Sequence, residues 1–444
     1  MIKLNILIFE QGKHQMAKSK KNPLRWVRLD NAAKIYPAAM RKNWSNIYRQ
    51  SMTLYEEIDT VVLKSALEVT VKRFPSIAAR LRRGAFWFYL QQVEAAPEIQ
   101  EEKSHPLCYM SEKEMSKYAF RVIAYRNRIA VEFFHSLTDG TGALIFLKNL
   151  VAEYLEQKHN ISIPFEQGII DRRVPPKSEE LEDSFLKYAG RVPASRRDTN
   201  AWRVPGEKEP EGFIHVTCFK ADVDSAIALA HKYGCTLTVF FSAVMMQALM
   251  NYQKELNPNT AKHKPIKLLI PINLRTLFKS ETLRNFAMFT VPEIDARLGE
   301  YSFEEICKAV YHKMGYELTQ KHMSAVIAKN VNDEKNILLR LVPLPLKNIV
   351  MKAVFDRSGE RKSCLSMSNL GVVRLPEIMQ KYVSRVDFIL GVQATAPYNC
   401  GFLSYNGKVY INLTRNIRDA GLERHFFEIL RDMGLEVTVE SNRN

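Results

Sequence analysis

The sequence predicts a mixed α/β fold built from two similar-sized halves. Three observations predict it. Apolar residues alternate between helical and strand-like periods along the chain. No internal repeat or low-complexity tract interrupts them, which argues against solenoids and propellers. A charged, proline-bearing stretch over residues 166–212, with Pro175, Pro176, Pro193, Pro205 and Pro210, reads as a crossover between the halves. With 444 residues and 46% apolar composition, the chain can bury sizeable cores.

The elements follow in order. Leu63, Ala66, Leu67 and Thr70 recur at helical spacing from Asp59 to Phe74, and Pro75 stops the helix. Residues 119–125 and 129–135 are β-prone runs separated by Arg126-Asn127-Arg128, a hairpin signal. The second run leads through a turn into a helix over 141–157, striped by Leu144, Leu147, Leu150, Val151 and Tyr154. Beyond the crossover come a strand at 213–219, a helix at 222–233 ended by Gly234, and a longer helix to Leu256 capped by Thr236. Strands at 266–272 and 285–291 precede a long helix from Ser302, where Glu305 completes a capping box. Strands at 363–368, 384–391, 401–405 and 408–413 follow, the last two joined by Asn406-Gly407, a type I′ signal. A terminal helix spans 420–433. The expected organisation is a basic leader over 1–25, an N-terminal subdomain over 26–165, the crossover, and a C-terminal subdomain over 213–444.

Lys plus Arg number 64 against 48 Asp plus Glu, a formal charge of +16, so the surface attracts anions. Residues 11–28 carry Lys13, Lys18, Lys20, Lys21, Arg25 and Arg28 without an acid, a stretch that reads as a solvated leader or as an arm for nucleic acid or a membrane. Six scattered cysteines without C-x-x-C, and histidines without metal spacing, predict neither a disulfide scaffold nor a metal site. No apolar run reaches the roughly 20 residues of a transmembrane helix, and the N-terminus lacks signal-peptide features, so a cytoplasmic location is expected. Neither G-x-G-x-x-G nor a Walker A loop is present, which leaves dinucleotide redox chemistry and nucleotide hydrolysis unsupported.

The informative segment is FFHSLTDGTGA. His135 ends a strand, and Asp139-Gly140 forms the turn before a helix. A neutral imidazole takes a proton near pH 7, and such a base is worth roughly 100- to 10,000-fold in rate. Asp139 either orients the imidazole or caps the helix and fixes the loop; the second role is preferred. Gly140 and Pro271 read as backbone devices, and Tyr405 and Tyr410 as packing residues beside the hairpin.

In its context, a strand before and a helix after, the H-x-x-x-D-G segment resembles the motif of the superfamily that contains chloramphenicol acetyltransferase, nonribosomal condensation domains, wax ester synthases and plant acyltransferases. WVRLDNAAKIYPAA (26–39), LLIPINLRTLF (268–278), ETLRNFAMFT (281–290), MSNLGVVRLPE (367–377) and GFLSYNGKVYINLTRN (401–416) are similar to blocks of its bacterial alcohol acetyltransferase-like branch. Phe134 stands where some relatives have a first histidine, and the plant D-F-G-W-G block is absent, with only DFILG from Asp387 to Gly391.

The resemblance implies two coenzyme A-dependent acyltransferase-type subdomains with a tunnel at their interface and His135 at its middle. His135 would deprotonate an alcohol, which attacks an acyl thioester directly; no G-x-S-x-G elbow offers a nucleophilic serine. Ser368 and Asn369 are candidates either to stabilise the oxyanion or to shape the turn before Gly371. Arg275 and Asn285 either hold the interdomain architecture or line the tunnel. Arg275 is a candidate partner of Asp139, or else a solvated strand-end residue. The implied function is an O-acyltransferase using acyl-CoA, with no permanently bound cofactor; the sequence leaves the oligomeric state open, a monomer being the preferred reading. An amide-forming enzyme or a carrier-binding module using an acyl carrier protein thioester is the alternative, and a basic nucleic-acid or lipid-surface protein is ranked below both.

Overall fold

The structure is a computed structural model that describes residues 26–41, 44–102, 105–189, 200–335, 342–354, 362–393 and 396–442. The expected leader over 1–25 lies outside the described residues, as does part of the crossover. The first half contributes strands β1 (Trp26–Arg28), β2 (Ile47–Leu54), β3 (Ala79–Arg83), β4 (Phe88–Gln92), β5 (Gln100–Glu101), β6 (Phe120–Tyr125) and β7 (Arg128–Phe134). The second contributes β8 (His215–Asp222), β9 (Ile266–Asn273), β10 (Ala287–Thr290), β11 (Glu293–Ile294), β12 (Leu365–Val372), β13 (Val383–Leu390), β14 (Tyr398–Tyr405), β15 (Lys408–Arg415) and β16 (Val437–Ser441). They form three sheets: β1-β4-β3, β13-β2-β7-β6-β5, and β10-β9-β12-β14-β15-β8-β16 with β11 also on β9.

The mixed α/β architecture is as the sequence predicts. Asp59 caps helix Thr60–Arg73 by accepting from the Val61 and Val62 amides. Ser302 and Glu305 close the capping box of helix Phe303–Glu317. Asn406 and Gly407 take φ of 47° and 71°, the left-handed pair a type I′ turn requires, and β14 and β15 pair across them. The long helix expected from Ser302 is in fact two, because the chain breaks after Glu317 and resumes at Gln320.

The largest core cluster centres on the first-half sheet and also takes in second-half residues such as Val383, Phe388 and Tyr405, and a second lies on the larger sheet. Helices Thr60–Arg73 and Gly140–His159 pack together over the first-half sheet, where Leu67, Phe74, Phe146 and Leu150 meet Phe120, Val122 and Phe133. Helices Leu237–Leu256 and Gly421–Asp432 bury Phe240, Phe241, Phe426 and Leu430 against the larger sheet. No single helix among the described residues is long and apolar enough to cross a membrane; the bent pair Val223–Lys232 and Leu237–Leu256 comes nearest by composition.

The halves are interlocked. β13, from the second half, completes the first-half sheet by pairing antiparallel with β2, Phe388 opposite Gln50 and Leu390 opposite Tyr48. Gly401 of β14 lets the strands approach, since a Cβ there would sit 2.7 Å from the Phe388 carbonyl oxygen. This brings the ends of β7, β12 and β13 to one seam.

Candidate active site

His135 stands directly after β7 and is half-buried. Its amide donates to the Asn46 carbonyl at 3.1 Å, holding the end of β7 against the residues before β2. The ring stacks on Tyr36, centroids 4.5 Å apart, with Tyr48 tilted at 5.0 Å. The imidazole Nδ1 is buried and has no hydrogen-bond partner among the described residues. Burial pulls the pKa below the ordinary imidazole value, opposed by the residue's own carbonyl, the Asp139 charge and Asn285. The ring is therefore neutral at pH 7 and available to accept a proton.

Asp139 does not hold the imidazole. One carboxylate oxygen accepts from the Thr141 and Gly142 amides, at 3.2 and 3.1 Å, capping helix Gly140–His159. The other accepts from Arg275 Nη1 and from the Phe286 amide, each at 2.7 Å. Arg275 is held by three further bonds: its Nε donates to the Thr282 carbonyl at 2.7 Å, Nη2 to the Arg284 carbonyl at 2.6 Å and Nη1 to Asn273 Oδ1 at 3.2 Å. The arginine is thus a half-buried partner of Asp139, and the pair joins the two halves through the motif turn.

The same second-half loop grips the motif elsewhere. Thr138 Oγ1 donates to the Leu283 carbonyl at 2.6 Å, and Tyr48 donates to the Thr138 carbonyl at 3.0 Å. At Gly142 a side-chain methyl would overlap the Thr138 hydroxyl and the Leu283 carbonyl. At Gly140 it would meet the Leu370 side chain at 2.7 Å, and the Gly140 carbonyl accepts from Gln50 Nε2 at 2.7 Å.

Asn285 is buried and donates to Asp30 at 3.4 Å. Asp30 also accepts from the Ala33 amide at 2.8 Å, with Arg284 at 3.8 Å. Burial outweighs these partners and pushes the Asp30 carboxyl up to about 6.

On β12, Ser368 and Asn369 point opposite ways because successive strand residues alternate. Asn369 Nδ2 donates to Thr238 Oγ1 at 2.9 Å, and its Oδ1 accepts from the Gly371 amide at 2.7 Å, which makes it a device of the turn before Gly371, where φ is 75°. Ser368 stands opposite Gly401, whose Cβ position points at Phe388 of β13, so Ser368 faces the first-half sheet. Of the two, Ser368 lies on the side of the motif.

Four site features were not among the sequence candidates: the Tyr36 and Tyr48 rings, Gly142 and Asp30. Tyr36 and Asp30 fall in the 26–39 block, a signal that was present without a role attached. Pro271 pairs with Phe289 within β9, Tyr405 donates to the Val383 carbonyl at 2.9 Å, and Tyr410 is buried under Arg385. Among the described residues no group of three or more His, Cys, Asp or Glu could hold a metal, and all six cysteines are free.

No protein-family model and no curated protein matches the chain. Solved structures do. Trichothecene 15-O-acetyltransferase from Fusarium sporotrichioides aligns over 94% of this chain and 96% of its own at 12% identity, TM-score 0.59. Polyketide synthase associated protein 5 from Mycobacterium tuberculosis aligns over 91% and 96% at 12% identity, TM-score 0.57. The starter condensation domain of rhizomide synthetase, solved with C8-CoA and Leu-SNAC, aligns over 92% and 94% at 11% identity, TM-score 0.56. At these identities the likeness is one of fold: nearly the whole chain has the architecture shared by condensation domains and these acetyltransferases.

Proposed function

We propose that the protein transfers an acyl group from an acyl thioester, acyl-CoA first, to an alcohol, with His135 as general base. The observation that carries the reading is a half-buried imidazole at the seam of the two halves, stacked on Tyr36, its pKa lowered by burial and its ring not hydrogen-bonded by Asp139. The fold adds support, since similar structures include an O-acetyltransferase and a condensation domain solved with an acyl-CoA.

The step follows from these groups. His135 takes the hydroxyl proton as the oxygen attacks the thioester carbonyl, so no positive charge builds on the nucleophile. The tetrahedral oxyanion collapses, the C–S bond breaks, and the imidazolium returns the proton to the departing thiolate. No acyl-enzyme forms. Tyr36 and Tyr48 fix the ring plane, while the Asp139–Arg275 pair holds the turn that carries it; their roles are positional. Ser368 is the proposed oxyanion donor, because its strand face is the one turned toward the motif. The basic surface favours anionic donors, coenzyme A or an acidic carrier domain. An amine acceptor is the second reading, favoured by the likeness to condensation domains.

The test is acyl transfer by His135→Ala with acetyl-, octanoyl- and palmitoyl-CoA against panels of alcohols and amines. Loss of at least roughly 100-fold with an unchanged melting temperature is expected. Activity within about tenfold of wild type would show that another group is the base. Because burial lowers the His135 pKa, the acidic limb of kcat/KM is expected below the 6.5 of a free imidazole.

A further inference from the structure

Helix Leu344–Val354 turns one aliphatic face outward and one lysine inward. Among its described side chains Leu344 and Lys347 are buried, and the helix packs beside the short helix Ile35–Ala39, whereas Leu346, Ile349 and Val350 stand 57%, 67% and 54% exposed. Those three share one face by their i, i+3 and i+4 spacing. A helix on a protein in water turns lysines outward and aliphatics inward. Here Lys347 Nζ donates to the Phe86 carbonyl at 3.1 Å and lies 3.5 Å from the centre of the Trp87 ring.

The outward apolar face does not stand alone. Phe86 beside it is 47% exposed, and Trp26 is 58% exposed at the rim of a cavity of about 580 Å³ lined also by Arg28, Lys34, Trp87 and Tyr89. No acidic residue lines that cavity. Lys34 lies 5.5 Å from the same Trp87 ring, and Lys352 on the helix is exposed. The chain reaches Trp26 from a leader carrying Lys13, Lys18, Lys20, Lys21 and Arg25. Aliphatic side chains projecting from a helix, tryptophan at the edge and lysines around them form the pattern of a helix lying in a lipid interface.

We propose that this face, helix Leu344–Val354 with Trp26, Phe86 and the surrounding lysines, docks on an anionic membrane surface without crossing it. The aliphatics would enter the acyl boundary, and the cations would meet phosphate headgroups. A bilayer fits better than a folded acidic partner because the aliphatics protrude, and a deformable apolar phase needs no matching cavity. The inference stands independently of acyl transfer.

Co-sedimentation of the full chain tests it, with vesicles of phosphatidylcholine alone and with about one third phosphatidylglycerol. Binding to the anionic vesicles, weakened by about 0.5 M salt, is expected. Ile349→Ser/Val350→Ser and the harsher Ile349→Asp/Val350→Asp should each partition at least about tenfold less, with the wild-type melting temperature. Absence of wild-type binding to anionic vesicles would overturn the proposal, as would equal binding by both variants. If the variants kept vesicle binding but lost binding to an acidic acyl carrier protein, the face would be a protein-docking surface and the membrane assignment would fall.

Discussion

Two buried aspartates flank Tyr36, the ring that stacks on His135, and they are held in opposite ways. Asp139 is saturated, with two amides on one oxygen and an amide and a guanidinium on the other. Asp30 has one backbone amide, a long contact to Asn285 and an arginine at the limit of ion-pair distance. The difference teaches that a carboxylate beside the histidine proposed as base need not serve it. One of these anchors the turn across both halves, and the other is a poorly compensated charge that burial drives toward its neutral form.

Asp139→Ala is the harshest way to break the contrast. It removes a helix cap and strands Arg275 in a half-buried site, so a loss of about 3–5 kcal/mol of unfolding free energy is expected, with activity falling as the loop loosens. Asp139→Ala/Arg275→Ala should cost clearly less than the two single losses added together, since the partner charge goes too. Urea unfolding of the three variants measures this, and strict additivity would show that the pair is not coupled.

The next effect separates the two glycines of the same turn. Gly142 faces a carbonyl that cannot move without shifting the second-half loop, whereas Gly140 faces only the tip of Leu370. Gly142→Ala should cost about 1–3 kcal/mol and Gly140→Ala less. Thermal melts that rank them the other way would place the tight seam at Leu370 instead of Leu283.

Asp30 is the pH-dependent member. Its folded pKa of about 6 exceeds the 3.8 of a free aspartate, so between those values the native state holds a proton that the unfolded chain has released. Wild-type stability therefore falls as pH rises from about 4 to 6 through this group, and stays reduced above that range, by up to about 3 kcal/mol. Asp30→Asn removes the titration. Its stability relative to wild type should rise with pH across that window in urea unfolding at pH 4 and pH 7, and a pH-independent difference would show that Asp30 keeps its charge when folded.

The legibility of these features follows from what each residue bonds to. The motif helix, its Asp139 cap and the Asn406-Gly407 hairpin were readable because short-range periodicity and turn chemistry determine them. β2 was not. Its IYRQSMTL is buried on both faces, and Arg49 there is neutralised by Glu132 and Glu102, contacts of strands far along the chain. No local period announces a central strand whose polar residues are satisfied by tertiary partners. β13 was foreseen as a strand, but its place beside β2 in the first-half sheet is a matter of topology. Arg275 was readable as a candidate partner of Asp139; the loop carbonyls that hold its other nitrogens were not. Asn285 was singled out, yet its partner Asp30 went unmarked because nothing local to LDN shows that the carboxylate will be desolvated.

The smallest expected effect sharpens the assignment on β12. Asn369→Ala removes one hydrogen bond to Thr238 and one from the Gly371 amide, worth about 1 kcal/mol each, and Gly371 keeps its left-handed φ without help from a neighbour's side chain. Stability should drop by about 1–2 kcal/mol while kcat changes little. Ser368→Ala, on the opposite face of the strand, should do the reverse: near-wild-type melting and a kcat reduced by about 10- to 1,000-fold, the scale of losing an oxyanion donor. A kcat loss in Asn369→Ala with Ser368→Ala unaffected would move the donor to the other face of β12, and with it the side from which the thioester carbonyl approaches His135.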